Sequence, residues 1–80
     1  MTIEERRAVS SERTQFRVSA ESFLADGIHF LAEDPAYARL CFESAEQLFE
    51  RIGDRWDAQI ASQWHEAAQN ADEVDLKTAA

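Results

Sequence analysis

Apolar residues along this chain recur at intervals of three and four rather than two, so the elements they predict are helices. Phe16, Ala20, Phe23, Gly27 and Phe30 stand at successive spacings of 4, 3, 4 and 3 and share one face of a first helix. Leu24, Ile28 and Leu31 form a second stripe about 100° round from the first, which makes this helix apolar over a wide arc. Asp34 then offers a capping side chain, and Pro35 suits the first turn of the next helix, where a missing N–H costs nothing. That second helix carries Ala38, Cys41, Ala45, Leu48 and Ile52 on one stripe, with Phe42 and Phe49 beside it. Gly53 supplies the left-handed residue that ends many helices, and Asp54 caps a third helix with Asp57 in its first turn. The third helix presents Trp56, Ile60, Trp64 and Ala67 at spacings of 4, 4 and 3.

This pattern predicts an all-α, antiparallel three-helix domain, with helices near 11–32, 35–52 and 54–70. Joints so short force neighbouring helices to run in opposite directions. Residues 1–10 read as a flexible N-terminal arm: Thr2 and Glu5 have capping-box spacing, but Ile3 and Val9 are the sole sizeable apolar anchors. Residues 71–80 read as a mobile acidic tail. The expected core is Phe23, Phe30, Ala38, Cys41, Phe42, Ala45, Leu48, Phe49, Trp56 and Ile60.

Composition supports the helical reading and narrows the partners. Eighty residues make one small domain, and such a chain buries only about 60% of the surface exposed on unfolding. Two Gly and one Pro are too few for a loop-rich β protein. The net charge of −8 is uneven: residues 1–20 sum to +1, residues 21–53 to −5 and residues 54–80 to −4. That excess of acid disfavours nucleic-acid backbones and anionic membranes. It suits solubility or a basic protein surface. Cys41 is the one cysteine, so no intramolecular disulfide forms and a reducing compartment is expected. No apolar run approaches the roughly twenty residues of a membrane span, and the N-terminus lacks the apolar core of a signal peptide. A cytoplasmic location is therefore expected.

The stretch "AYARLCFESAEQLFERIGD", with Ala38, Phe42 and Ala45 followed by Gly-Asp, resembles the second helix of a tetratricopeptide repeat, a helix–turn–helix unit of about 34 residues. Phe23, Gly27 and Phe30 are similar to its first helix, if the Asp34-Pro35 turn is one residue short. Trp56 would then open the first helix of a second unit, and the whole would amount to one and a half units over about residues 21–68. Asp26, Ile60 and the lack of a Pro after Glu50 depart from the pattern. An unrelated three-helix bundle, such as the similar one of microtubule-interacting and trafficking domains, also needs small residues where helices cross closely.

Candidate chemistry is sparse. His29 lies near Asp26 and Glu33 at helical spacing, and His65 adjoins Glu66, but a metal site needs three or four converging ligands. Cys41 sits on a core stripe in acidic surroundings, the wrong setting for a reactive thiolate. The pairs Glu43–Glu46 and Glu46–Glu50 read as a solvated face. With no glycine-rich phosphate loop or serine nucleophile motif, neither an enzyme nor a cofactor or metal site is expected.

Two functional readings follow. One is a small acidic interaction module, an adaptor, accessory subunit or self-associating domain that binds through an apolar helix face. The other is an acidic inhibitor, such as an immunity protein, antitoxin or phage-encoded blocker that mimics nucleic-acid charge. Under the first, the resemblance implies a binding surface of Leu24, Ile28, Leu31, Ala61 and Trp64, with Trp56 in the monomer's own core. Because one and a half units leave an open end, the expected partner is another protein or a second copy, most simply a two-fold homodimer. The cap assignment has its own test. Gly53→Val should cost about 1 kcal/mol or more, because a β-branched residue resists positive φ. Thermal melting checks this, and a variant that melts with the parent removes Gly53 from the joint.

Overall fold

The structure, a computed structural model, describes the backbone of residues 3–79 and the side chains of residues 11–74. It consists of α1 (Ile3–Phe30), α2 (Pro35–Arg51) and α3 (Arg55–Ala79), and no strand occurs among the described residues. The helical backbone of α1 begins before the expected start at 11 and that of α3 continues past the expected end at 70. The proposed Thr2 cap lies outside the described residues.

Contacts between α1 and α2 pair residues in reverse order: Phe30 with Tyr37, Gly27 with Phe42, and Phe16 with Arg51. Contacts between α2 and α3 do the same, Arg39 with Asp72 and Glu46 with His65. The second helix thus runs back along the first, the third runs back along the second, and α2 holds the middle.

Each joint is built from a few hydrogen bonds. At the first, the Glu33 and Asp34 amides donate to the Phe30 carbonyl at 3.1 and 2.7 Å, closing α1 two residues earlier than expected. The Tyr37 amide donates to Asp34 Oδ1 at 3.1 Å, so Asp34 caps α2, with Pro35 in its first turn. At the second joint, the Gly53 amide donates to the Glu50 carbonyl at 3.0 Å and the Asp54 amide to the Phe49 carbonyl at 2.9 Å. This pair of bonds is the Schellman arrangement, which requires a left-handed residue, and Gly53 has φ of 76°. Asp54 then turns from the end of α2 to the start of α3, accepting the Asp57 amide at 3.1 Å on its own Oδ1.

Two apolar clusters make up the core. Ala20, Ala45, Phe49, Ile52, Ala58 and Ala61 form one, and Phe16, Leu24 and Leu48 pack against it. Ala38, Phe42 and Ala68 form the other, with Leu24, Leu31 and Trp64 against it. Phe42 and Phe49 are the largest fully buried side chains, two turns apart on α2, and every other member of the two buried sets except Ile52 is alanine. Of the expected core, Ala38, Cys41, Phe42, Ala45 and Phe49 are buried, while Phe30, Leu48 and Ile60 are half-buried. Two assignments need correction. Phe23 is 38% exposed and Trp56 is 76% exposed. The buried face of α3 is Ala58, Ala61 and Ala68, rotated by about a third of a turn from the large apolar stripe. The physical reason is proximity: where an outer helix packs closely on α2, methyl groups fit between the backbones more readily than indoles.

Proximity is tightest at Gly27. A Cβ there would meet the Phe42 ring at 2.5 Å from Cε1 and 2.8 Å from Cδ1. Trp64 stacks on the same ring at 5.7 Å between centroids and 23° between planes, so it stands in the path of any retreat. Helix propensity alone would favour Gly27→Ala by about 1 kcal/mol. Overpacking a core costs about 1–3 kcal/mol and works against it. Gly27→Ala should therefore lower the melting temperature, and adding Phe42→Leu should cost less in the Gly27→Ala background than in the parent. A stabilised Gly27→Ala protein, or strictly additive effects in this double-mutant cycle, would contradict the close approach.

Candidate interaction surface

The five residues expected to bind a partner fall into three environments. Ala61 is fully buried between the helices and offers no surface to another chain. Leu24, Leu31 and Trp64 are brought together around the Phe42 cluster, half-buried, with Trp64 stacked on Phe42. Ile28, 45% exposed, is the one member of the set that stands largely in solvent. Most of this stripe therefore holds the monomer together.

Trp56, expected in the monomer's own core, is exposed instead. It lies one residue into α3, and with Gln59, Ile60 and Gln63 it lines a shallow cleft of about 150 Å³. No lining residue is charged. Three other surface clefts each include charged side chains: Glu12, Arg13 and Arg51 at one, Glu46, Glu50 and Arg55 at another, and Asp26 beside Val18 and Phe23 at the third. An exposed indole beside a half-buried isoleucine in an uncharged cleft is the surface feature that solvation explains least. The clue in the sequence was the alanine series. Once Ala58, Ala61 and Ala68 are set against α2, a period of 3.6 turns Trp56 and Gln63 outward.

A cluster of charges ties the start of α3 to α1. Arg17 of α1 donates to Asp54 Oδ2 at 2.8 Å and lies 3.5 Å from Asp57 Oδ2. The Asp54 side chain is 15% exposed. The Asp57 amide, then the Asp57 side chain and Arg17, all hold the Asp54 carboxyl below the usual carboxylate range. Asp57 is pushed the other way, chiefly by its side-chain hydrogen bond to Asp54 and then by burial. On α2, the Tyr37 phenol is raised above its ordinary pKa, first by its hydrogen bond to the Cys41 thiol. Cys41 itself is buried. Among the described residues no group of three or more His, Cys, Asp or Glu side chains is placed to hold a metal ion, and no helix is long and apolar enough to cross a membrane.

No family model matches the sequence, and comparison with the curated proteins and with the solved structures finds no match. The reading of function therefore rests on the surface itself.

The charge cluster makes a pH-dependent prediction. A carboxyl whose folded pKa is depressed stabilises the fold above its unfolded pKa, and that contribution fades as pH falls below about 4. Asp57, raised in the fold, opposes this above its own pKa and ceases to do so when protonated. Without Arg17 the two carboxylates face each other uncompensated. Arg17→Gln should thus be destabilised most at neutral pH, with the gap to the parent narrowing below about pH 4. Urea titrations at pH 7 and pH 3 measure it, and a gap that is constant or widens in acid contradicts the assignment.

Proposed function

We propose that this protein is a small helical interaction module that docks a partner protein on the outer face of α3, centred on Trp56. The observation that carries the proposal is the 76% exposure of Trp56 in an uncharged cleft beside Ile60. An indole is the side chain most often found at the energetic centre of protein interfaces, and leaving it in water forgoes a large favourable burial. The reading of α1 and α2 as a repeat-like hairpin is supported by the Gly27–Phe42 crossing. On that reading α3 is the first half of a further unit, and its outer face is where a following helix would lie.

A host-cell pull-down with the intact chain as bait tests this. Trp56→Ala should keep the parent's circular dichroism and melt close to it, since surface substitutions usually change stability by about 0.5 kcal/mol or less. It should also lose a partner that the parent retains. Val18→Ala, on the exposed side of α1, should retain it. Equal recovery on Trp56→Ala and parent overturns the proposed face. A large fall in melting temperature for Trp56→Ala would instead make Trp56 a structural residue.

A further inference from the structure

Positive charge is scarce in this chain, with 8 Lys and Arg against 16 Asp and Glu, so the places where it goes unpaired are informative. Among the residues with described side chains the basic ones are Arg13, Arg17, Arg39, Arg51 and Arg55. Arg17 pairs with Asp54 and Asp57, and Arg39 with Asp72. Arg55 lines a cleft with Glu46 and Glu50. Arg13 and Arg51 differ. Neither is in an ion pair among the described residues, yet the two share a cleft of about 330 Å³ where α1 passes the end of α2. That cleft has no residue in common with the one at Trp56.

The lining of this cleft favours one kind of ligand. Phe16, half-buried, and Ile52, buried, supply its apolar part. The Arg51 guanidinium lies over the Phe16 ring, 4.9 Å from its centroid. Such a contact holds the cation in place and occupies fewer of its N–H donors than a carboxylate would. The carbonyls at the end of α2, which would repel an anion, are occupied: Leu48, Glu50 and Phe49 accept the amides of Ile52, Gly53 and Asp54. Glu12 also lines the cleft. Adjacent residues of a helix do not face one another, so Glu12 leaves Arg13 unpaired. Its charge and the net −8 of the chain nevertheless weigh against a ligand with two or more negative charges. A single carboxylate suits the site, because guanidinium N–H groups match its two oxygens. We infer that this cleft binds a carboxylate carried on an apolar group, with Arg13 and Arg51 at the carboxylate and Phe16 and Ile52 at the apolar group. A free aliphatic or aromatic acid has that chemistry, and so does the C-terminus of a peptide that ends in an apolar residue.

Titration of the full-length protein at neutral pH, followed by NMR of the backbone amides and the arginine Nε–H groups, tests this. Phenylpropionate should move the Nε–H signals of Arg13 and Arg51 and the amides of Phe16 and Ile52. Its uncharged amide, phenylpropionamide, should move none of them. Acetate and inorganic phosphate should each bind at least about fivefold more weakly than phenylpropionate. Arg13 is exposed and in no ion pair, so Arg13→Gln should melt with the parent. It should also weaken phenylpropionate at least about fivefold, whereas Arg39→Gln should leave the affinity unchanged. A short peptide with a free C-terminal Phe distinguishes the two sources. Tighter binding than phenylpropionate assigns the cleft to a protein terminus, and equal or weaker binding assigns it to a small acid. Equal binding of acetate overturns the apolar part of the inference, and equal binding of the amide or tighter binding of phosphate overturns the single carboxylate. An affinity unchanged by Arg13→Gln reduces the effect to diffuse attraction and overturns the site. If no probe moves the Arg13 and Arg51 signals, the inference fails, and the docking face at Trp56 is untouched by that result.

Discussion

The Phe42 ring, fully buried on the middle helix, has a helix backbone against one side and an indole stacked on it. Around it every neighbour is constrained. Gly27 has no room for a side chain, Ala38 and Ala68 are fully buried beside the ring, and Trp64 lies nearly parallel to it. The second buried ring, Phe49, imposes a similar condition two turns away, where Ala20, Ala45, Ala58 and Ala61 surround it. So few large buried side chains are unusual for a chain whose apolar share is ordinary. Among the described residues the other large apolar side chains, Ile52 apart, lie at the edges of these clusters or on the surface.

That division explains which parts of the fold were legible in the sequence. Caps and turns act locally, so Asp34, Pro35, Gly53 and Asp54 announced both joints almost to the residue. The middle helix was also legible, because it packs on both neighbours and its buried arc takes in most of its apolar positions, Ala36, Tyr37 and Leu40 excepted. The outer helices are a different case. Each has one face against α2 and another in water, and apolar residues occur on both. Size then misled: the indole and isoleucine of α3 suggested a core, while the alanines that do the packing read as filler. The same preference for bulk put Phe23 inside, although it stands at a rim. Arg17 was invisible for a further reason, since its partners Asp54 and Asp57 lie 37 and 40 residues away and no local pattern links them.

Asp54 shows how a chain of eighty residues joins three helices with few parts. Its amide closes the end of α2, one carboxylate oxygen opens α3, and the other holds Arg17 of α1. Orientation at this end of the molecule is therefore electrostatic as well as apolar, and it sets the direction in which α3 leaves the joint. The Arg17–Asp57 contact at this joint agrees with the packing of Ala58, Ala61 and Ala68 on α2, which leaves Trp56 on the outer side of α3.

Because each helix packs chiefly on the one before it in the chain, few contacts need distant segments to find one another. Domains of such low contact order fold in microseconds to milliseconds. The α1–α2 hairpin taken alone sets Phe42 against Gly27 and leaves the other side of the ring without Trp64. Only the arrival of Trp64, 22 residues later, covers that ring. Until α3 docks, that hairpin carries an apolar edge that the finished protein no longer has, the kind of surface through which partly folded chains associate.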